Sequence, residues 1–334
     1  MLRKLALTTA LVALPAIAGA SAIITDGNVL LGVDDLGQLN IPGGVPDVAG
    51  TTDAGMRWIA PNGDQYESTS HGCLCEGWGV SVNGTTSGYA NNASGVGGLE
   101  LVSFTSTAST AQSVTKISGT DVQVTQSFAL SDKTDNLYAV TVTIANMGAT
   151  DVNNVTYRRS MDWDTSPTPF NEYVTIGGTA TTTLLKASGS DGFVNSDPLV
   201  AITDRFGCGL NVDFTACGPD DHGSAFDFDF GMLEAGEAYT FTIFYGGAAN
   251  KAEALAALGA VGAELYSFGW SGTDANQDGW DDGDPSRRTP TYIFAFAGVG
   301  GEVVVPPPAV PLPAAGLLLV GGLGALALNR RRRG

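Results

Sequence analysis

Residues 137–145 read LYAVTVTIA and carry the clearest structural signal in this 334-residue chain. Tyr138, Val140, Val142 and Ile144 alternate with small or hydroxylated side chains. Successive side chains of a β-strand point to opposite faces of its sheet. The alternation therefore predicts a strand with one face in an apolar core.

Other segments repeat this alternation. Residues 239–245 and 292–296 place aromatic or aliphatic side chains at every second position, and residues 226–230 read FDFDF. In the last segment we expect the phenylalanines in the core and the aspartates in solvent. The 45 glycines are typical of strands joined by many turns.

One helix is expected among the strands. Asn250 is a favourable N-cap, and residues 252–263 are rich in strong helix formers. Leu255, Leu258 and Leu265 fall at helical spacing, so we expect this helix to pack over one end of the sheets.

No repeat or change in composition divides residues 23–304. The sequence therefore predicts an all-β fold, a single large β-sandwich with one packed helix. Residues 146–148 are predicted to turn the strand at 137–145, and residues 152–157 to return beside it. This strand-turn-strand pattern resembles Ig-like bacterial surface domains, and the whole domain resembles secreted bacterial β-sandwich proteins.

The first 22 residues have the features of a signal peptide. Arg3 and Lys4 precede the apolar residues 5–17, and Ala20-Ser21-Ala22 supplies the small side chains that a signal peptidase requires. The mature chain is expected to begin at Ile23, and the domain to be exported.

Residues 305–334 predict a membrane segment at the other end. Three prolines form a stiff spacer, and the apolar stretch from Val310 to Leu328 would form a helix about 28 Å long, enough to span a hydrocarbon core. The stretch opens with the motif Val310, Pro311, Leu312, Pro313 and Ala314, and it is followed by Arg330, Arg331, Arg332 and Arg333. The arginines are expected to stay in the cytoplasm.

This tail resembles the VPLPA-type variant of PEP-CTERM sorting signals. The resemblance implies a Gram-negative surface or extracellular protein that is held in the inner membrane until an exosortase-like peptidase processes it. It also implies a link to exopolysaccharide and biofilm matrix. Pro311-Leu312-Pro313 replaces the commoner Pro-Glu-Pro, and the alternative is a plain anchor that is never cut.

The predicted mature part is strongly acidic. Of the 16 Lys and Arg, two lie in the leader and four in the tail, which leaves 10 against 34 Asp and Glu and a net charge near −24. Nucleic acid and anionic membrane surfaces would repel such a chain. A cationic partner or a medium rich in divalent ions would suit it, as would solubility alone.

Residues 274–284 read DANQDGWDDGD and predict a calcium loop. Calcium prefers several oxygen ligands, and this spacing offers Asp274, Asn276, Asp278, the Trp280 carbonyl and Asp282. The loop resembles those of dockerins and thrombospondin type 3 repeats. Pro285 stands where an EF-hand has its bidentate glutamate, so the expected affinity is modest. A merely polar turn is the alternative.

The four cysteines predict two disulfides in an exported chain. Cys208 and Cys217 are expected to pair, but the tight Cys73–Cys75 ring competes with pairing between the two clusters. Because His71 and His222 each lie near a cysteine pair, the six residues could instead bind a soft metal.

The segment 158–164 reads RRSMDWD and is the remaining candidate for chemistry. On a strand, Asp162 and Asp164 share a face with Arg158 and stand about 7 Å apart, a separation compatible with a glycosidase pair. Trp163 would point away from that face. We therefore favour a structural role, in which cross-strand carboxylates neutralise the arginines.

The sequence thus predicts a secreted, calcium-stabilised domain with a structural or adhesive role and no catalysis. One alternative is a carbohydrate-binding module, which requires two or three exposed tryptophans on one face; the candidates are Trp58, Trp78, Trp270 and Trp280. The other is a polysaccharide-active enzyme that uses Asp162 and Asp164.

Overall fold

A computed structural model describes residues 21–305, which contain nineteen β-strands and one α-helix. All strand pairs are antiparallel, and they form three sheets. The prediction of an all-β, sandwich-like fold with one helix is confirmed. The predicted signal peptide, apart from its last two residues, and the VPLPA motif, the apolar segment and the arginine cluster lie outside the described residues. Within residues 21–305, no helix is both long and apolar enough to cross a membrane.

The largest sheet has nine strands and contains every strand that the alternation predicted most clearly, except the FDFDF segment. Its order is β15 (Phe214–Asp220), β13 (Glu172–Gly177), β18 (Leu265–Ser271), β19 (Thr291–Ala297), β17 (Ala238–Ala248), β11 (Leu137–Asn146), β10 (Val122–Leu130), β9 (Ala111–Ile117) and β8 (Leu99–Ser106).

A six-stranded sheet packs against one face of the nine-stranded sheet. Its order is β14 (Leu185–Gly189), β16 (Gly223–Leu233), β12 (Val152–Asp162), β5 (Gly77–Val82), β6 (Thr86–Asn91) and β7 (Gly95–Gly97). The FDFDF segment lies in β16, and Phe226 makes edge contacts with Phe294 and Phe296 of the opposite sheet. These aromatic side chains form the centre of the main core.

A third, smaller sheet has four strands. Its order is β1 (Ser21–Asp26), β2 (Val29–Asp34), β3 (Met56–Ile59) and β4 (Gln65–Glu67). Its inward side chains, among them Val29, Leu31 and Trp58, are part of the same core as the two larger sheets.

Helix α1 (Lys251–Val261) begins as expected, because the Asn250 side chain accepts a hydrogen bond from the backbone N–H of Glu253. Its position differs from the prediction. Ala254, Ala257 and Leu258 pack on the outer face of the nine-stranded sheet, whereas Leu255 is only partly buried. Leu265 lies beyond the helix, because Gly262 ends it in the left-handed conformation.

The predicted hairpin after β11 is wrong. β11 pairs with β10 and β17, whereas β12 lies in the six-stranded sheet between β16 and β5. The Asn146 amide stabilises this crossing, since it donates to the carbonyls of Thr150, Leu233 and Glu234. A hairpin turn and a crossing between sheets can look alike in sequence. Here the hydrogen bonds to Leu233 and Glu234, almost 90 positions away, favour the crossing.

The placement of one FDFDF aspartate also differs from the prediction. The three phenylalanines are buried and Asp229 is exposed, but Asp227 is buried as well. The Arg158 guanidinium lies opposite Asp227 on the neighbouring strand and neutralises it inside the protein.

Candidate functional site

The predicted calcium loop joins β18 to β19. Asp274 is fully buried; one of its carboxylate oxygens accepts from the Asp278 N–H at 3.0 Å, and the other from the Gly279 N–H at 3.0 Å and the Thr289 hydroxyl at 2.9 Å. Gly279 has φ +93°, and a Cβ there would overlap the Ala249 carbonyl. The sharp turn expected at this glycine is therefore present.

The other predicted ligands bond mainly to the loop itself. Asn276 accepts from the Asp278 N–H, Asp278 from the Trp280 N–H, and Asp282 from the Ala275 N–H. The oxygen donors suit calcium chemically. However, within residues 21–305, none of the loop carboxylates belongs to a group of three or more acidic, His or Cys side chains whose ligand atoms lie within 4.8 Å of one another. Calcium binding here stays a prediction.

The cysteines pair with their nearest neighbours in sequence. Cys73 pairs with Cys75, and Cys208 with Cys217, at disulfide distance, which leaves no free cysteine within residues 21–305. The Cys208–Cys217 pair agrees with the sequence expectation, and pairing between the clusters does not occur. The first disulfide lies beside the C-terminal end of β12.

The ligand atoms of Cys208, Cys217 and His222 lie within 4.8 Å of one another, but the disulfide pairing argues against the soft-metal alternative. A disulfide sulfur is not a thiolate, so neither pair offers the ligand that soft metals prefer. His71 instead contacts the Ser166 hydroxyl at 3.0 Å and the Asp47 carboxylate at 3.4 Å. His222 packs edge-on against Phe206, with 4.7 Å between ring centroids.

The two arginines of the RRSMDWD segment have structural partners, as predicted. Arg158 forms a bidentate pair with Asp227, with distances of 2.6 and 2.7 Å. Arg159 faces the core, where Glu76 and Gln126 accept its hydrogen bonds. Both guanidinium groups are completely buried and already paired.

The aspartates of the same segment have no such partners. Asp162 and Asp164 are 1% and 0% exposed, and they converge with the partly exposed Asp221, with ligand oxygens within 4.8 Å of one another. Trp163 points to the opposite side, as expected, and its indole N–H donates to the Ser267 hydroxyl at 3.1 Å. We call Asp162, Asp164 and Asp221 the carboxylate cluster.

Burial is the main cause of unusual acidity in this region. It raises the pKa of Asp164 to about 8, with a further contribution from the negative charge of Asp221. The pKa of Asp162 is well above its ordinary value, again through burial first and Asp164 second. Burial and the charge of Asp164 likewise raise the pKa of Glu172 to about 10. The site therefore disfavours several negative charges unless a positive charge enters it.

Two members of this region, Asp221 and Glu172, are not indicated by any local motif in the sequence. Asp221 lies just after β15, and Glu172 begins β13 opposite Asp220. The pairing of β13 with β15 places Glu172 beside Asp220, and the pairing of Asp162 with Gly223, with the hydrogen bond from the Trp163 N–H to the His222 carbonyl, places Asp221 near the end of β12. No local spacing could have indicated either contact.

The tryptophans do not form an exposed platform. Trp58, Trp78 and Trp270 are 3%, 0% and 1% exposed, and only Trp280 reaches solvent, at 36%. The Arg288 guanidinium lies over its ring, 4.4 Å from the centroid. The feature required for the carbohydrate-binding alternative is therefore missing from these four residues.

No protein-family model matches this sequence, and no curated protein matches it significantly.

Proposed function

We propose that this chain is an exported cell-surface or matrix protein with a structural or adhesive role and no catalytic activity. The observation that supports it best is the pairing of all four cysteines at disulfide distance, because disulfides persist in oxidising compartments outside the cytosol. The acidic charge and the sorting-type tail agree with this location. In this proposal an exosortase-like peptidase processes the tail, and exopolysaccharide is the expected neighbour in the matrix.

The two alternatives have less support. Stacking on sugars needs exposed aromatic rings, and three of the four candidate tryptophans are buried. Glycoside cleavage needs carboxylates that contact the sugar, whereas Asp162 and Asp164 are enclosed. Turnover of a matrix glycan by the purified protein, lost in Asp162→Asn, would overturn the non-catalytic proposal.

The sorting motif provides the experiment for export and processing. We expect a Pro311→Ala/Pro313→Ala chain to stay in the inner-membrane fraction, while the wild-type chain reaches the cell surface or the medium. Pro307→Ala, in the spacer, is the matched control and should behave as wild type. If the double variant distributes as wild type does, the tail is not read as a sorting signal.

The loop at 274–284 is the proposed calcium site of this domain. We expect Asp278→Ala to bind one calcium ion fewer per chain than wild type in equilibrium dialysis, with the lost site having a Kd of roughly 0.1–1 mM. Chelation should lower the melting temperature of the wild-type protein. Asp229→Ala, which removes an exposed carboxylate of β16, is the control. Equal calcium binding by both variants would rule out the loop.

A further inference from the structure

The carboxylate cluster lacks the hydrogen bonds that buried charges normally make. Both side-chain oxygens of Asp164, Oδ1 of Asp162 and Oδ1 of Asp221 are buried and have no partner. Oδ2 of Asp162 lies 3.2 Å from the Cys73 sulfur, but a disulfide sulfur has no proton to donate. A buried, ionised carboxylate without hydrogen-bond partners lowers the stability of the folded protein.

Glu172 independently shows the same lack of hydrogen-bond partners. It lies outside the cluster as defined, it is fully buried, and its Oε2 has no partner, while its Oε1 accepts from the Thr165 N–H at 2.9 Å. Because Thr165 directly follows Asp164, this hydrogen bond holds the Glu172 carboxylate near the cluster. Four acidic side chains from three separate parts of the chain thus share one unsatisfied region.

No protein cation fills this region. Within residues 21–305, none of the four acidic side chains forms an ion pair. The charge of Arg205 acts on Asp162 and Asp221, but its guanidinium stacks on Phe193, 4.3 Å from the ring centroid. A positive charge of another origin is needed if the cluster is to be ionised.

Two glycines lie close to the cluster. A Cβ at Gly192 would lie 2.5 Å from Oδ1 of Asp162, so only glycine fits there, whereas a Cβ at Gly72 would be at ordinary contact distance from Asp164. The oxygens themselves have a suitable separation. Calcium–oxygen bonds of about 2.4 Å allow two ligands of one ion to be at most about 4.8 Å apart, and the cluster oxygens lie within 4.8 Å of one another.

We propose that Asp162, Asp164 and Asp221 bind a hard divalent cation, with the Glu172 carboxylate beside it. Ligands that are all carboxylate oxygens select Ca²⁺, Mg²⁺ or Mn²⁺ over soft metals. Asp162 ends β12 of the six-stranded sheet, whereas Glu172 begins β13 and Asp221 follows β15 in the nine-stranded sheet. The ion therefore lies beside the ends of strands from both large sheets. The proposal does not depend on export or on the loop at 274–284.

The test uses the full-length protein in an Asp278→Ala background, which removes the proposed loop site. After treatment with chelator, CaCl₂, MgCl₂ or MnCl₂ is added, and bound metal and melting temperature are measured. We expect one bound ion per chain for at least one metal. The melting temperature should rise by roughly 5 °C when the free ion is about 100-fold above its Kd.

Asp164→Asn, added to the same background, separates ion binding from folding. It should weaken binding by about 100-fold and abolish the rise in melting temperature. In chelator it should melt no lower than its parent, because burial already disfavours the ionised form of this carboxyl and the neutral amide avoids that cost. Asp229→Asn is the control for loss of one negative charge and should keep binding.

Three results would overturn the proposal. They are the absence of binding with all three metals, unchanged binding in Asp164→Asn, and stabilisation by mild acid alone with no bound ion. The last result would mean that shared protons occupy the cluster. Since none of these measurements involves location or processing, their failure leaves the proposed export untouched.

Discussion

Replacing Arg159 with methionine should lower the free energy of unfolding by about 3–5 kcal/mol. Arg159 is completely buried, its Nε lies 2.5 Å from the Glu76 carboxylate, and its guanidinium lies 5.4 Å from the centre of the Tyr245 ring. Methionine fills much of the arginine's volume but leaves the buried Glu76 carboxylate without its counterion. Denaturant unfolding of both proteins measures the difference.

A second substitution shows whether the unpaired Glu76 charge causes the loss of stability. Arg159→Met/Glu76→Gln should be more stable than Arg159→Met alone, because the neutral amide no longer needs a counterion. The exposed pair of Lys116 and Asp121, 3.5 Å apart, is the control, and Lys116→Met should change stability by less than about 0.5 kcal/mol. A double variant that loses the sum of the two single losses would contradict this account.

Trp163→Ala should also cost about 3–5 kcal/mol of unfolding free energy. The indole is fully buried and lies flat on Gly269 of β18, where a Cβ would overlap it. It also packs near Tyr292, with 6.4 Å between ring centroids. Because Trp163 stands between Asp162 and Asp164, its loss should loosen the carboxylate cluster as well as the core.

Two comparison variants test whether the buried indole ring of Trp163 is the source of this stability. Trp163→Phe keeps a ring in the site and should cost less than Trp163→Ala. Trp280→Ala removes a partly exposed indole and should cost least of the three. If Trp163→Ala were no more destabilising than Trp280→Ala in denaturant unfolding, the indole would not be the main contact between β12 and the nine-stranded sheet.

The elements that could be predicted from the sequence are those with a local sequence signal. Alternation at 137–145 and 292–296 predicted strands with one buried face, and Asn250 predicted the start of the helix. These signals need no knowledge of the partner strand, since side-chain direction follows from the backbone alone. The helix position was less predictable, because its small alanines face a sheet that the sequence does not specify.

The errors came from partners that are distant in sequence. Asp227 was expected in solvent because it alternates with the core phenylalanines, but Arg158 neutralises it inside the protein from the next strand. The crossing from β11 to β12 depends on the Asn146 amide and on carbonyls near residue 233. For the same reason, Asp162 and Asp164 could be recognised as a pair, whereas Asp221 and Glu172 could not.

The most direct test of the account is the intact mass of the native protein, purified separately from the medium and from cell fractions and measured with and without thiol alkylation. The account predicts a chain that begins at Ile23, ends near Pro313 and resists alkylation until a reductant is added. A cytosolic chain that still carries residues 1–22 and has four reactive thiols would contradict the oxidised, exported domain on which the proposed function rests.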